Sequence, residues 1–222
     1  MAGHLEKELE KLKKRILLLS ALVEESLHKA LRAVSQRDTK LARGVVDGDS
    51  AIDEMEVEVE EECLKVLALH QPVAVDLRFI ISVLKINRDL ERIGDFAVSM
   101  ADKAARLASY EHRNQVFDFS TMGEKVLSML SRSIDSMVKA DAQLAMDVCA
   151  ADDEVDRMKR GAYVEVKTRM REHPEEVDYL LDLRSISRHL ERIADHATNI
   201  AEDVIYSVNG EIVRHRLDEF AP

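Results

Sequence analysis

The chain has 222 residues, 34% of them charged, with only 7 Gly, 3 Pro and no Trp, a balance that favours long helices over a turn-rich β fold. Its net charge of −11 argues against nucleic acid as the main partner, because phosphate binding needs a basic surface. The longest apolar runs, at residues 16–19 and 79–84, fall far short of the ~20 residues a membrane-spanning helix needs, and the opening stretch MAGHLEKELEKLKK lacks an apolar signal core, so a cytoplasmic protein is expected.

Apolar residues recur at helical spacing from Leu5 through Leu12, Ile16, Leu19, Val23 and Leu27 to Val34, which predicts a first helix. A second runs from about Thr39 to Leu69 with Ile52, Met55, Val59, Cys63 and Val66 on one stripe. Pro72 suits the first turn of a third helix, which carries Leu77, Ile80, Leu84, Leu90 and Ile93 and ends near Ala108. Residues 109–118 read as a linker. The scheme then repeats as Met122–Val138, Ala142–Glu172 and Pro174–Val208, with Gly210 as the stop. Cys63 and Cys149 lie inside apolar helical patterns far apart in the chain and read as buried free thiols.

The repetition is in the letters as well as the pattern. RDLERIGDFAVSMADK at 88–103 returns as RHLERIADHATNIAED at 188–203, an offset of 100; upstream, Asp49–Met55 aligns with Asp152–Met158 and Asp38–Ala42 with Asp141–Ala145, at 103. The difference is absorbed at the loops near the prolines, where length changes are tolerated. The chain is therefore expected to be all-α: two tandem antiparallel three-helix bundles, six long helices in all, from an internal duplication, with domains at 1–110 and 117–222.

Each repeat carries two acidic pairs spaced by four residues, which puts each pair on one helix face, one turn apart. They are Asp49/Asp53 with Glu91/Asp95, and Asp152/Asp156 with Glu191/Asp195. In repeat one the pairs lie about 20 and about 22 residues either side of the turn between antiparallel neighbours, hence at similar height; repeat two gives about 19 on each side. Four carboxylates per bundle suit hard cations such as Mg²⁺, Ca²⁺ or Mn²⁺, and carboxylate-rich sites also take iron. A cation would also relieve their mutual repulsion. The alternative is ion pairing with Arg88, Arg92, Arg188 and Arg192. Asp102 and Glu202, two turns beyond Asp95 and Asp195, and Asn199, one turn beyond Asp195, are secondary candidates. Glu56 and Glu60 continue the stripe, but Lys159 and Tyr163 replace them in repeat two, so they are expected to be solvated. His196 is matched by Phe96 and belongs to no symmetric site. No glycine-rich phosphate loop, GxSxG or ExxH pattern occurs, so no catalysis is expected.

With these motifs in register over nearly the whole chain, VDGDSAIDEMEVEVEEECLKVLALHQPVAVDLRFIISVLKINRDLERIGDFAVSMA and DLRSISRHLERIADHATNIAEDVIYSVNGEIVRHR resemble the two repeats of the PhoU family. That resemblance implies two three-helix bundles whose paired acidic motifs, here the eight carboxylates named above, hold metal clusters; Fe, Mn, Mg, Zn and Ca are not distinguished by sequence. It implies a cytoplasmic, non-enzymatic regulator of phosphate homeostasis. Such a protein represses phosphate uptake and the phosphate-starvation two-component response when phosphate is plentiful. It does so as an adaptor between the ATPase subunit of the phosphate ABC transporter and a phosphate-sensing histidine kinase, reaching the membrane only through these partners. A homodimer is also implied. Ser99 and Asp102 stand where the family commonly has Asn and Glu, and Phe96 replaces a frequent polar residue, so the first site is expected to bind metal more weakly than the second or to hold a different nuclearity. Competing readings are a metal-storage protein or enzyme on a helical bundle, and a structural coiled coil whose acidic pairs are surface decoration.

Overall fold

The computed structural model describes residues 2–110, 116–117 and 119–213. Six α-helices follow one another: α1 (Ala2–Gln36), α2 (Thr39–His70), α3 (Ala74–Leu107), α4 (Phe119–Lys139), α5 (Ala142–Glu172) and α6 (Val177–Asn209), with a 3₁₀ turn at Pro174–Glu176. Most of the expected 109–118 linker, and the end of the expected second domain at 214–222, lie outside the described residues.

The duplication is visible in the way the helices stop and restart. Arg37 and Ala140, 103 residues apart, both adopt the left-handed conformation, with φ of 53° and 50°, that commonly ends a helix. Each is followed by an aspartate that caps the next helix. Asp38 Oδ1 accepts the N–H groups of Lys40 and Leu41 at 2.8 and 3.0 Å, and Asp141 Oδ1 that of Leu144 at 3.0 Å, satisfying donors that would otherwise have no partner. The prolines differ from expectation. Pro72 precedes α3 by two residues, because Gln71 ends α2 in the left-handed region (φ 46°) and the chain needs Pro72 and Val73 to reverse. Pro174 opens the 3₁₀ turn, and α6 starts three residues later.

Helices α1–α3 form one bundle and α4–α6 the other; they join where α3 packs on α6 and α1 on α4. Both joins are antiparallel. Along α1–α4, Lys13 Nζ reaches the Val138 carbonyl at 3.2 Å, while the opposite end of the contact brings Leu31 against Gly123; a Cβ there would stand 2.5 Å from a Leu31 methyl, so the helices meet where a side chain is missing. Leu90, Ile93, Ala97, Leu190, Ile193 and Ala197 are fully buried in the α3–α6 region.

Polar groups fix the register of this seam. Asp203, 3% exposed, holds Lys85 Nζ at 2.7 Å, and its carbonyl accepts Ser82 Oγ at 3.0 Å. At the other end Asp182, also 3% exposed, holds Lys103 Nζ at 3.2 Å and Arg106 Nε at 3.1 Å and accepts the Tyr110 hydroxyl at 3.3 Å. Between them His196 Nδ1 lies 2.6 Å from Asp89 Oδ1, and the Phe96 ring centroid is 5.7 Å from those of both His189 and His196. Burial, with Arg188 and Lys103 nearby, lowers His189 to about 4 and leaves it neutral near pH 7.

Candidate metal centre

The two acidic quartets occupy equivalent places, one between α2 and α3 and one between α5 and α6. In the first, Gly94 marks a close approach of the helices: a Cβ there would lie 3.3 Å from two Ile52 carbons and 3.8 Å from Asp49 Oδ1. The second has Ala194 and Val155 at the same positions, one methyl added on the last helix and one removed on the middle helix, a swap that conserves packed volume.

The carboxylates feel one another across the helices. Burial raises the pKa of Asp49, with Asp53 and Asp95 adding to the shift. Glu91 is raised by burial, then by Asp95, Asp53 and Glu56, against Arg92. In the second quartet burial pushes Asp152 up to about 6, helped by Asp195, Asp156 and Glu191. Asp195 is raised by burial and Glu191, against Arg192, with Asp156 adding further. Glu191 is buried at 9% exposure, Asp53 is exposed, and the other six are half-buried. The structure thus brings together all four members of each quartet.

Cationic side chains already stand among them. Arg92 reaches Asp95 at 3.2 Å and Glu91 at 3.7 Å; Arg192 repeats this on Asp195 and Glu191 at 3.3 and 3.9 Å. Repeat two goes further. Lys159 Nζ lies 2.6 Å from Glu191 Oε1 and 3.9 Å from Asp156, which also takes Arg160 at 3.3 Å. The equivalent of Lys159 in repeat one is Glu56, which is not merely solvated as the stripe suggested. Its Oε1 accepts Asn87 Nδ2 at 3.1 Å, and burial together with Glu60 and Asp53 raises its pKa. The first quartet is therefore a quintet of acids, while the second carries Lys159 as a further counter-ion beside its arginine. The signal was available: Glu56 and Lys159 stand one helical turn beyond Asp53 and Asp156, on the same face.

Among the described residues, the group of three ligand atoms all within 4.8 Å of one another is His173, Glu175 and Glu176, at the α5–α6 turn; Glu176 there is paired with Arg169 at 3.0 Å. The quartets are more open, as expected where ionised carboxylates repel and Arg and Lys take the space between them. Their all-oxygen donor set fits a hard cation, whose charge would oppose the upward pKa shifts. The secondary candidates divide. Asn199 donates to Asp89 Oδ1 at 3.4 Å across the seam, Glu202 acts electrostatically on Cys149, and Asp102 is exposed beside Lys40, Arg43 and Asp47. Cys63 and Cys149 are free and buried, and burial pushes both thiols up to about 12.

In metal-free protein the shift of Asp152 has a definite sign. Its folded value of about 6 lies above its ordinary 3.8. Proton binding therefore favours the folded state fully below the ordinary value, and that contribution is lost as pH rises through about 6. Asp152→Asn should raise stability near neutral pH by about 1 kcal/mol, after discounting for solvent screening of a half-exposed group, and should make no difference below about pH 4. Thermal unfolding in chelator at both pH values checks this; an equal effect at both would show that the site is not charge-limited.

Both repeats match the PhoU domain, over residues 16–104 and 119–204. The chain belongs to the PhoU family. Each matched segment contains one acidic quartet. The chain is 40% identical over 209 residues to the phosphate-specific transport system accessory protein PhoU homolog of Pseudomonas aeruginosa, covering 94% of this chain and 86% of that one. Its fold is similar to the crystal structure of PhoU from Pseudomonas aeruginosa, with a TM-score of 0.89 at 39% identity, covering 93% of this chain and 99% of the other. It is also similar to the phosphate transport system regulatory protein PhoU from Streptococcus pneumoniae, with a TM-score of 0.88 at 31% identity, covering 94% and 99%. Among the described residues no helix is long and apolar enough to cross a membrane.

Proposed function

We propose that this chain is a cytoplasmic regulator of phosphate transport that represses phosphate uptake and the phosphate-starvation two-component response when phosphate is plentiful. The observation that carries the reading is the match of both repeats, in register, to accessory proteins of phosphate-specific transport. Membership of this family makes it an accessory protein and not an enzyme. It acts as an adaptor between the ATPase subunit of the phosphate ABC transporter and the sensor histidine kinase, and works as a homodimer. The α3–α6 seam supports this role, since its packing and the Asp182 and Asp203 contacts join two bundles that can present separate faces to separate partners.

The adaptor carries metal. Asp49, Asp53, Glu91 and Asp95 would hold one centre, and Asp152, Asp156, Glu191 and Asp195 the other; a bound cation would neutralise each acidic surface and clamp the middle helix to the last. The test is a chromosomal deletion complemented with the wild-type chain, reading phosphate uptake and a starvation-promoter reporter in phosphate-rich medium. Both should rise in the deletion and fall on complementation. A deletion that changes neither overturns the regulatory role.

A further inference from the structure

The duplicated groove between the middle and last helix of each bundle has opposite charge in the two repeats. In repeat one the wall is net acidic: the four carboxylates of Asp53, Glu56, Glu60 and Glu91 outnumber Arg88 and Arg92, with Leu84 beside them. In repeat two a groove of roughly 360 Å³ is lined by Lys159, Arg160, Arg184 and Arg188 around Tyr163 and Val164, with no carboxylate in its wall. Lys159 takes the place of Glu56, Tyr163 that of Glu60 and Arg184 that of Leu84, so the bundle frame does not require a basic groove; repeat two has one in a chain of net charge −11.

We propose that the α5–α6 groove is a docking site for an acidic segment of a partner protein that also carries an apolar side chain. The inference rests on the adaptor reading and gives the partner a chemistry. Lys159 and Arg160 are partly neutralised by Glu191 and Asp156, but among the described residues Arg184 and Arg188 are exposed and make no ion pair. They stand one turn apart on one face of α6, with Leu181 (47% exposed) continuing the stripe. An exposed forked pair of guanidinium groups matches carboxylates. The floor is apolar: Tyr163 is 46% and Val164 60% exposed, more apolar surface than a small inorganic anion would use. Two cations, Arg184 and Lys167, already lie over the Tyr163 ring at 5.4 and 5.9 Å, so a nucleobase would have to displace one to stack there, whereas a peptide can lay an aliphatic side chain on Val164 and the ring edge.

The probe is a fluorescein-labelled peptide of alternating glutamate and leucine, titrated with full-length protein by fluorescence anisotropy. Binding should weaken by about tenfold or more in Arg184→Glu/Arg188→Glu, less in Tyr163→Ala, and not at all in Arg43→Glu, an exposed arginine on α2; raised salt should weaken the wild-type interaction. All positions are on the surface, and unchanged circular dichroism confirms that the variants fold. No binding by the wild type, or equal binding by the Arg184/Arg188 variant, overturns the proposal. So does displacement of the peptide by equimolar inorganic phosphate, which would mark a free-oxyanion site. The regulatory role fails separately: a chain that binds no peptide but still represses uptake loses only the groove, and a chain that binds peptide without repressing loses only the role.

Discussion

Asp182→Ala should lower the unfolding free energy by about 2–3 kcal/mol, because it breaks a buried pair from the carboxylate side. The carboxylate is 3% exposed and satisfied by three groups from α3 and its C-terminal turn: Lys103, Arg106 and Tyr110. Removing it strands Lys103, whose side chain is 24% exposed, beside a second cation. Arg106 is mostly in solvent and recovers hydration, which keeps the loss below the upper range for fully buried pairs. Asp182→Asn keeps the volume and part of the hydrogen bonding and should cost less. Urea unfolding measures both. A loss under about 0.5 kcal/mol for the alanine variant would mean that the seam's ion pairs behave like surface pairs, and that apolar packing alone sets how the bundles sit.

Elemental analysis of untagged protein purified without chelator should show a larger loss of metal in Asp49→Asn/Glu91→Gln than in Asp152→Asn/Glu191→Gln. The two quartets have the same acidic spacing, and the difference lies in what surrounds them. Glu56 adds a fifth carboxylate to the first, whereas Lys159 already neutralises Glu191 at 2.6 Å in the second. A metal entering the second quartet must displace that ammonium group. Lys159→Met should therefore tighten metal binding there by up to about fivefold, since a half-exposed ion pair is worth about 1 kcal/mol. If the Asp152/Glu191 variant instead loses more metal, Lys159 swings aside at little cost, and the chemistry of Asn199 and Glu202 against Ser99 and Asp102 governs affinity. Absence of metal from wild-type protein would remove the cofactor from the proposed function and leave the fold and family intact.

Much of the fold is legible in the chain because helices are set by local rules. The 3.6-residue apolar stripe and the stop at Gly210 each depend on a few neighbouring residues. The starts of α3 and α6 are less legible, because a proline marks a turn without saying how many residues the reversal consumes. The acidic quartets are legible because spacing by four puts each pair on one face, and equal distances from a turn put two pairs at one height. The sequence offers Arg92 and Arg192 as ion-pair partners, and both pairs form; the difference between the two quartets emerges only in three dimensions. Glu56 reads as part of a solvated stripe, and Lys159 only as its replacement in repeat two, until α3 and α6 place Asn87 and Glu191 against them.

By itself, the sequence determined six helices, their duplication, their family and the eight carboxylates. The tertiary structure decided that the bundles lock through Asp182 and Asp203, that one quartet carries an internal lysine and that one groove is basic. These are contacts between residues 30 to 120 positions apart, and no local pattern encodes which face of one long helix meets which face of another.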